Sequence, residues 1–279
     1  MNAVVGAPRA DCGWAARLDL AFVERGPRTA LFSRHVGPLR VQKTLYPEGG
    51  RCAHAIIIHP PGGIAGGDSL ELEMDVAART QALITTPGAA KWYGSTGPAA
   101  RQAVNIALHG ELEWLPQETI VFNHAQASTT LHIRASAAGA MIGWETIVFG
   151  RRASGERFDC GVFSQHIALE IEGVPVWEDR LLLRGDDPLF SSPIGLRGQH
   201  SLATVWALRP SGAAWGEDDI AALRQHSPAI AWTRLAPTLL VGRMLGTPLQ
   251  LQSAARSAWQ ALRPMTLQRE PQAPRIWAT

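Results

Sequence analysis

Apolar and polar positions alternate with a period of two along most of the chain before residue 212, and that period predicts strands. Leu18, Leu20 and Phe22 share one face over residues 14–23, Arg25-Gly26-Pro27-Arg28 turns the chain, and residues 29–33 return. Gly37-Pro38 introduces a third strand at residues 39–42. The run Ala55-Ile56-Ile57-Ile58 reads as a buried strand, because stiff branched side chains pack well on a pleated surface. Residues 69–76 put Leu70, Leu72, Met74 and Val76 on one face. Further short strands are expected at residues 82–86, 103–108, 111–115, 120–122, 130–134, 141–148, 163–171 and 176–183, with glycines or Asn123 marking the turns. This grammar predicts an all-β dominated fold. A β-helix-like stack of short strands and a sandwich both satisfy it, and no fixed-period repeat decides between them.

After residue 211 the period changes. Glu217, Asp218 and Asp219 followed by Arg224 suit the dipole of a helix over residues 216–224. A second helix is expected over residues 253–263, with Ala255, Trp259 and Leu262 on one stripe and Pro264 ending it. Residues 238–241 read as a strand between the two. The expected organisation is one domain over residues 1–279, comprising a β scaffold (12–211), a small C-terminal α-helical part (212–265) and a tail (266–279).

Composition narrows the function. Hydrophobic residues make up 46% and charged residues 18%, which is globular rather than disordered. A net charge of +2 carries no basic footprint for nucleic acid or a membrane surface. No apolar run approaches the ~20 residues needed to span a bilayer. Cys12, Cys52 and Cys160 are odd in number and widely spaced, which points to a reducing, cytoplasmic setting. Residues 1–11 read as a loose terminus without a targeting pattern.

The stretch His59-Pro60-Pro61-Gly62-Gly63-Ile64-Ala65-Gly66-Gly67-Asp68 draws the eye first. A phosphate cradle needs a helix to begin at its end, and here a strand begins. The glycines Gly62, Gly63, Gly66 and Gly67 are therefore read as making a tight connection, with His59 and Asp68 as the side chains able to do more. The nine histidines form no His-x-His or His-x-x-x-His pair, so no stable metal site is expected, and His54 and His59 fall on opposite faces of a strand. Asp68, Glu118, Glu145 and Glu156 are the candidate carboxylates, and Glu145, inside an apolar run, is expected to pair with Arg151 or Arg152. No nucleophile elbow or activated cysteine occurs, so no catalytic residue is assigned. Lys91-Trp92-Tyr93, hemmed by Pro87-Gly88 and Gly97-Pro98, reads either as a contact anchor for a partner or as a cap on the core.

The order of these segments carries a resemblance that no one of them does. Gly13-Trp14, Gly37-Pro38-Leu39-Arg40-Val41-Gln42, and His59-Pro60-Pro61-Gly62-Gly63 with Gly66-Gly67-Asp68 come first. Thr86-Pro87-Gly88-Ala89-Ala90-Lys91-Trp92-Tyr93 and Leu112-Glu113-Trp114-Leu115-Pro116-Gln117-Glu118-Thr119-Ile120 follow. Gly143-Trp144-Glu145, Phe149-Gly150-Arg151, Ser154-Gly155-Glu156, Arg263-Pro264 and Pro274-Arg275-Ile276-Trp277 complete the set. Together they resemble the urease accessory protein UreD family, called UreH in some lineages, over nearly the whole chain. Residues 233–238 depart from it where a more glycine-rich turn is expected.

The resemblance implies a β-helical scaffold with a small helical part and a non-enzymatic role. It implies work with UreF and the GTPase UreG on the urease apoprotein, with UreE supplying nickel indirectly, and a water-filled nickel route through the body. No cofactor would be tightly bound, and Ni2+ would be transient. On that reading His59, Asp68, Glu145 and Glu156 are candidates to line or shape the route, whereas Lys91, Trp92, Tyr93 and Trp277 are candidate partner contacts, the C-terminal part facing UreF. The competing expectation is a carbohydrate-active β-helix enzyme using two of the carboxylates as acid and base. A third is a passive binding module without nickel dependence.

Overall fold

The computed structural model describes residues 13–278; the expectations for residues 1–11 and Cys12 lie outside them. Its strands, numbered along the chain, form two mixed sheets. The first sheet holds β1 (Ala15–Arg25), β2 (Arg28–Val36), β5 (Ser69–Val76), β8 (Ala100–Leu108), β11 (Gln126–Ala135), β13 (Val162–Ile171) and β14 (Val174–Arg184), in the order β14-β13-β11-β8-β5-β1-β2. The main path of the second runs β16-β17-β15-β12-β9-β6-β4-β3. Its strands are β3 (Arg40–Leu45), β4 (Cys52–Ile58), β6 (Gln81–Thr85), β9 (Glu111–Leu115), β12 (Ala140–Phe149), β15 (Ser201–Leu208), β16 (Ala231–Ala236) and β17 (Leu239–Leu245). Two short strands, β7 (Ala90–Trp92) and β10 (Thr119–Val121), extend it alongside β12. The helices are α1 (Glu217–His226) and α2 (Pro248–Leu267), and none among the described residues is long and apolar enough to cross a membrane.

From β4 to β13 the chain alternates between the sheets. β4, β6, β9 and β12 are parallel neighbours in the second, and β5, β8, β11 and β13 are parallel neighbours in the first. The period-two pattern explains why. Leu70, Leu72, Met74 and Val76 on β5 and Val104, Ile106 and Leu108 on β8 turn one apolar face inward, where they meet Ala53, Ala55, Ile57, Leu112, Trp114 and Met141 of the facing sheet. The outer face of the second sheet is apolar as well. Ile142, Trp144, Val205 and Ala207 are buried there by Ala255, Ala258, Trp259 and Leu262 of α2.

That double burial hides β15 from a sequence reading, since a strand covered on both faces shows no alternation. β7 and β16 were likewise unpredicted, the first for its length. α2 also differs from expectation at both ends. Thr247 and Gln250 form a capping box that starts it before residue 253. Pro264 lies inside it and does not end it. The carbonyl that Pro264 leaves unbonded belongs to Gln260 on the exposed side, while Thr266 and Leu267 beyond it are buried and hold the last turn.

Gly143 occupies the middle of β12 because Trp206 of β15 lies directly across from it. A Cβ at 143 would stand 2.3 Å from Trp206 Cζ2, and that indole is fully buried. Gly143→Ala is expected to cost about 1–3 kcal/mol through overpacking, read as a lowered urea midpoint. An unchanged midpoint would mean that Trp206 has room to shift.

Candidate functional site

The second sheet is interrupted in its middle. β9 bonds β12 through residues 140–143, β10 bonds it through residues 147–149, and residues 144–146 between them have no ladder partner on that edge among the described residues. The same interruption separates β6 from β7 at residues 86–89 and β9 from β10 at residues 116–118. Side chains bridge it instead: Gln117 N–H donates to Thr86 Oγ1 at 2.9 Å, and the Trp144 indole N–H donates to the Pro116 carbonyl at 2.6 Å. Proline, glycine and irregular backbone thus open a window in a sheet that is otherwise closed.

Inside the window lies a cavity of about 310 Å³ between the sheets. Leu70, Leu72, Gln102 and Val104 line it from the first sheet, and Ile57, Trp114 and Glu145 from the second. His59, Gly62, Gly63 and Ile64 of the opening loop and residues 86–91 roof it. A void of about 20 Å³, room for a single water, adjoins it. Its lining shares Gln102, Thr119 and Glu145 with the main cavity and adds Thr129 and Gln165. Gln102, Thr129 and Gln165 pair in register across β8, β11 and β13, so they form one inward polar row within the apolar interior. Thr129 Oγ1 is buried without a hydrogen-bond partner among the described residues. On the outer side, another void of about 20 Å³ shares Pro116 and Gln117 with the cavity and is closed by Trp144, Thr146, Gln252 and Arg256 beneath α2.

Glu145 sits at the edge of this window. Parity on β12 turns it inward beside Met141 and Ile147, away from Trp144 and Thr146. Its partner is the Trp114 indole, whose N–H donates to Oε1 at 2.9 Å. The expected pairing with Arg151 or Arg152 is corrected: both lie past the end of β12 at Phe149, where Arg151 bonds Glu156 and Arg152 meets His200. Burial pushes the Glu145 carboxyl up to about 7, with the Trp114 hydrogen bond pulling the other way. Burial also lowers the pKa of His59, opposed by the Asp68 charge.

The remaining predicted residues divide. Lys91 reaches the cavity rim and is exposed. Asp68 is not among the lining residues; it closes the loop, accepting Trp14 N–H and Ala65 N–H at 2.8 Å each. Glu156 is also elsewhere, accepting Asn123 N–H at 3.1 Å. The loop glycines serve backbone geometry: Gly62 and Gly67 have φ of +78° and +88°, and a Cβ on Gly63 or Gly66 would strike Tyr93 or Ser95. Trp92 is 1% exposed and belongs to the core, so it is no surface anchor; Tyr93 is half-exposed against Phe122. Trp277 is docked internally between Trp144 and Trp259, donating to Thr85 Oγ1 at 2.9 Å.

Sequence reasoning missed a second cluster, on the outer face of the second sheet. Glu113, fully buried, accepts from Trp259 Nε1 at 2.7 Å and from Arg263 Nε at 3.0 Å. Arg263, also fully buried, donates to both oxygens of Glu48, and Glu48 meets His54 Nε2 at 2.7 Å. Two signals were available: a glutamate within the apolar strand Leu112-Glu113-Trp114-Leu115, and Cys52 and His54 two apart, hence on one face of β4.

The model of the UreD urease accessory protein family matches residues 15–278. The chain belongs to the UreD family. A urease accessory protein UreD of Pseudomonas fluorescens strain Pf-5 is 44% identical over 273 residues, 95% of each chain. One from strain Pf0-1 is 42% identical over an alignment of 287 residues that covers both chains completely. One from Alkalilimnicola ehrlichii is 40% identical over 274 residues, 96% of this chain and 92% of that one. As a UreD-family accessory protein the chain serves urease maturation and is not a catalyst, which sets aside the carbohydrate-active alternative.

Proposed function

We infer that this UreD-family chain is a scaffold joining UreF, the GTPase UreG and the urease apoprotein, and that nickel passes through its window and inter-sheet cavity as cargo delivered indirectly from UreE. The observation that carries the reading is Glu145 at the edge of the window, facing a polar row inside an apolar body. Nickel accepts imidazole and carboxylate ligands, and a conducting path must hold its ion weakly enough to release it. A single carboxyl poised near neutrality, with His59 at the roof, suits passage better than storage. Ni2+ would be transient, with no tightly bound cofactor, no nucleic-acid or membrane partner, and a cytoplasmic setting. The alternation of β4 to β13 between parallel layers supports the β-helix-like description within one domain. Exposed Lys91 at the rim, and Tyr93 two residues beyond it, would be partner contacts; Trp277 would serve UreF only through the docked tail it secures.

Co-expression with urease and the other accessory proteins tests this. Glu145→Leu is expected to lower urease nickel content to a minor fraction while leaving UreF co-purification intact. Gly88→Phe, at a lining position where an added Cβ meets nothing within 4 Å, should obstruct the mouth without touching Glu145. Full nickel loading by both variants would refute the route and leave the scaffold role standing.

A further inference from the structure

Cys52 and His54 are 1% and 3% exposed on β4, and Glu48 approaches them from the preceding loop. Their donor atoms, a thiol, an imidazole nitrogen and a carboxylate oxygen, all lie within 4.8 Å of one another. Such a mixed set matches nickel, zinc or copper rather than magnesium or calcium. A tetrahedral ion would draw these donors to about 3.5 Å apart, a small side-chain adjustment.

A guanidinium now fills that ground. Arg269, just past the end of α2, donates to Cys52 Sγ at 2.9 Å and to Glu113 Oε2 at 3.1 Å. It is the poorly satisfied member of the cluster. Its Nε is buried without a hydrogen-bond partner among the described residues, as is Glu111 Oε2, 3.5 Å away. Arg263, by contrast, uses every arm of its guanidinium: Nε and Nη2 on Glu113, Nη2 on Glu48, and Nη1 on the Glu270 carbonyl. Arg269 is therefore the cation that leaves most readily.

We propose that Glu48, Cys52 and His54 form an exchangeable site for a borderline-soft divalent cation, which enters as the Arg269 guanidinium swings out to solvent. Charge is conserved in the exchange: one guanidinium and the Cys52 thiol proton leave for solvent as one doubly charged ion enters, while the carboxylates of Glu48, Glu111 and Glu113 stay beside Arg263. The site lies on the outer face of the second sheet, and it stands whether or not the inter-sheet cavity conducts.

Titration of the full chain with Co2+ reads the site directly through thiolate-to-metal charge-transfer absorption in the near ultraviolet. The band is expected in the wild type, and calorimetry in two buffers should show release of about one proton per ion. Cys52→Ser should abolish the band, although Cys12 and Cys160 remain. Arg269→Gln should tighten binding by about tenfold, because the competing cation is gone. Glu145→Leu should leave the charge-transfer band unchanged, which separates this site from the conduit. No band in either the wild type or Arg269→Gln, or a band that survives Cys52→Ser, overturns the proposal. Should Arg269→Gln fail to fold, the wild-type and Cys52→Ser comparison decides alone.

Discussion

Arg263→Ala is expected to lower the stability of the chain by about 3–5 kcal/mol, because it strands a buried charge instead of merely deleting a contact. The guanidinium is fully buried, and it bonds Glu113 and Glu48 at once from α2. Once it is gone, Glu113 keeps Trp259 and the less satisfied Arg269, and Glu48 keeps His54. Adding Glu113→Gln should recover part of the loss, since one stranded charge is then removed, so the pair will be strongly non-additive in a double-mutant cycle. Urea unfolding measures both. The acid limb gives an independent sign. Desolvation raises the Glu48 pKa, but hydrogen bonds from His54 and Arg263 outweigh it and bring the carboxyl down from 4.5 to about 2. Its contribution is therefore complete above pH 4.5 and is lost as the pH falls through 2, and the variant should show a shallower acid transition. A loss below about 1 kcal/mol would put this network in the class of exposed ion pairs and contradict its burial.

Legibility in the sequence followed the range of the forces involved. β5 was predicted to the residue because it buries one face and its alternation is a local record of that burial; β9 was too, because Glu113 preserves the alternation in its sequence although both of its faces are buried. β15 buries both faces and left no such record. The window was half legible: Pro87-Gly88 read as punctuation, but only the register of three separate strands shows that the breaks align. Glu145 was singled out correctly as a charge needing an explanation, yet its partner was sought six residues away when it lies on a neighbouring strand, at Trp114. The Glu48–Arg263 pair spans 215 positions, and nothing local in either residue names the other. Trp277 misled for the opposite reason, since an aromatic in a proline-bearing tail suggests an exposed anchor until its three neighbours are known.

Glu145→Gln should make the chain relatively more stable as the pH rises. The folded protein holds the Glu145 carboxyl at about 7 against 4.5 when free, through burial that the Trp114 hydrogen bond only partly offsets. A raised carboxyl pKa favours the fold while the group is neutral. That advantage is fully present below pH 4.5, declines as the pH climbs through 7, and costs about 3 kcal/mol once ionisation is complete. Glutamine keeps an acceptor for the Trp114 N–H and cannot ionise. The difference between variant and wild type should therefore grow by about that amount between pH 4.5 and 8, read by urea unfolding at intervals across the range. A difference that stays flat would mean that the carboxyl titrates as in water and that the window is fully hydrated. The same cost bears on the proposed route. An ionised Glu145 without a cation is unfavourable at the window edge, so a passing divalent ion would supply the charge the site lacks, and Ni2+ added at pH 8 should narrow the stability gap between wild type and Glu145→Gln.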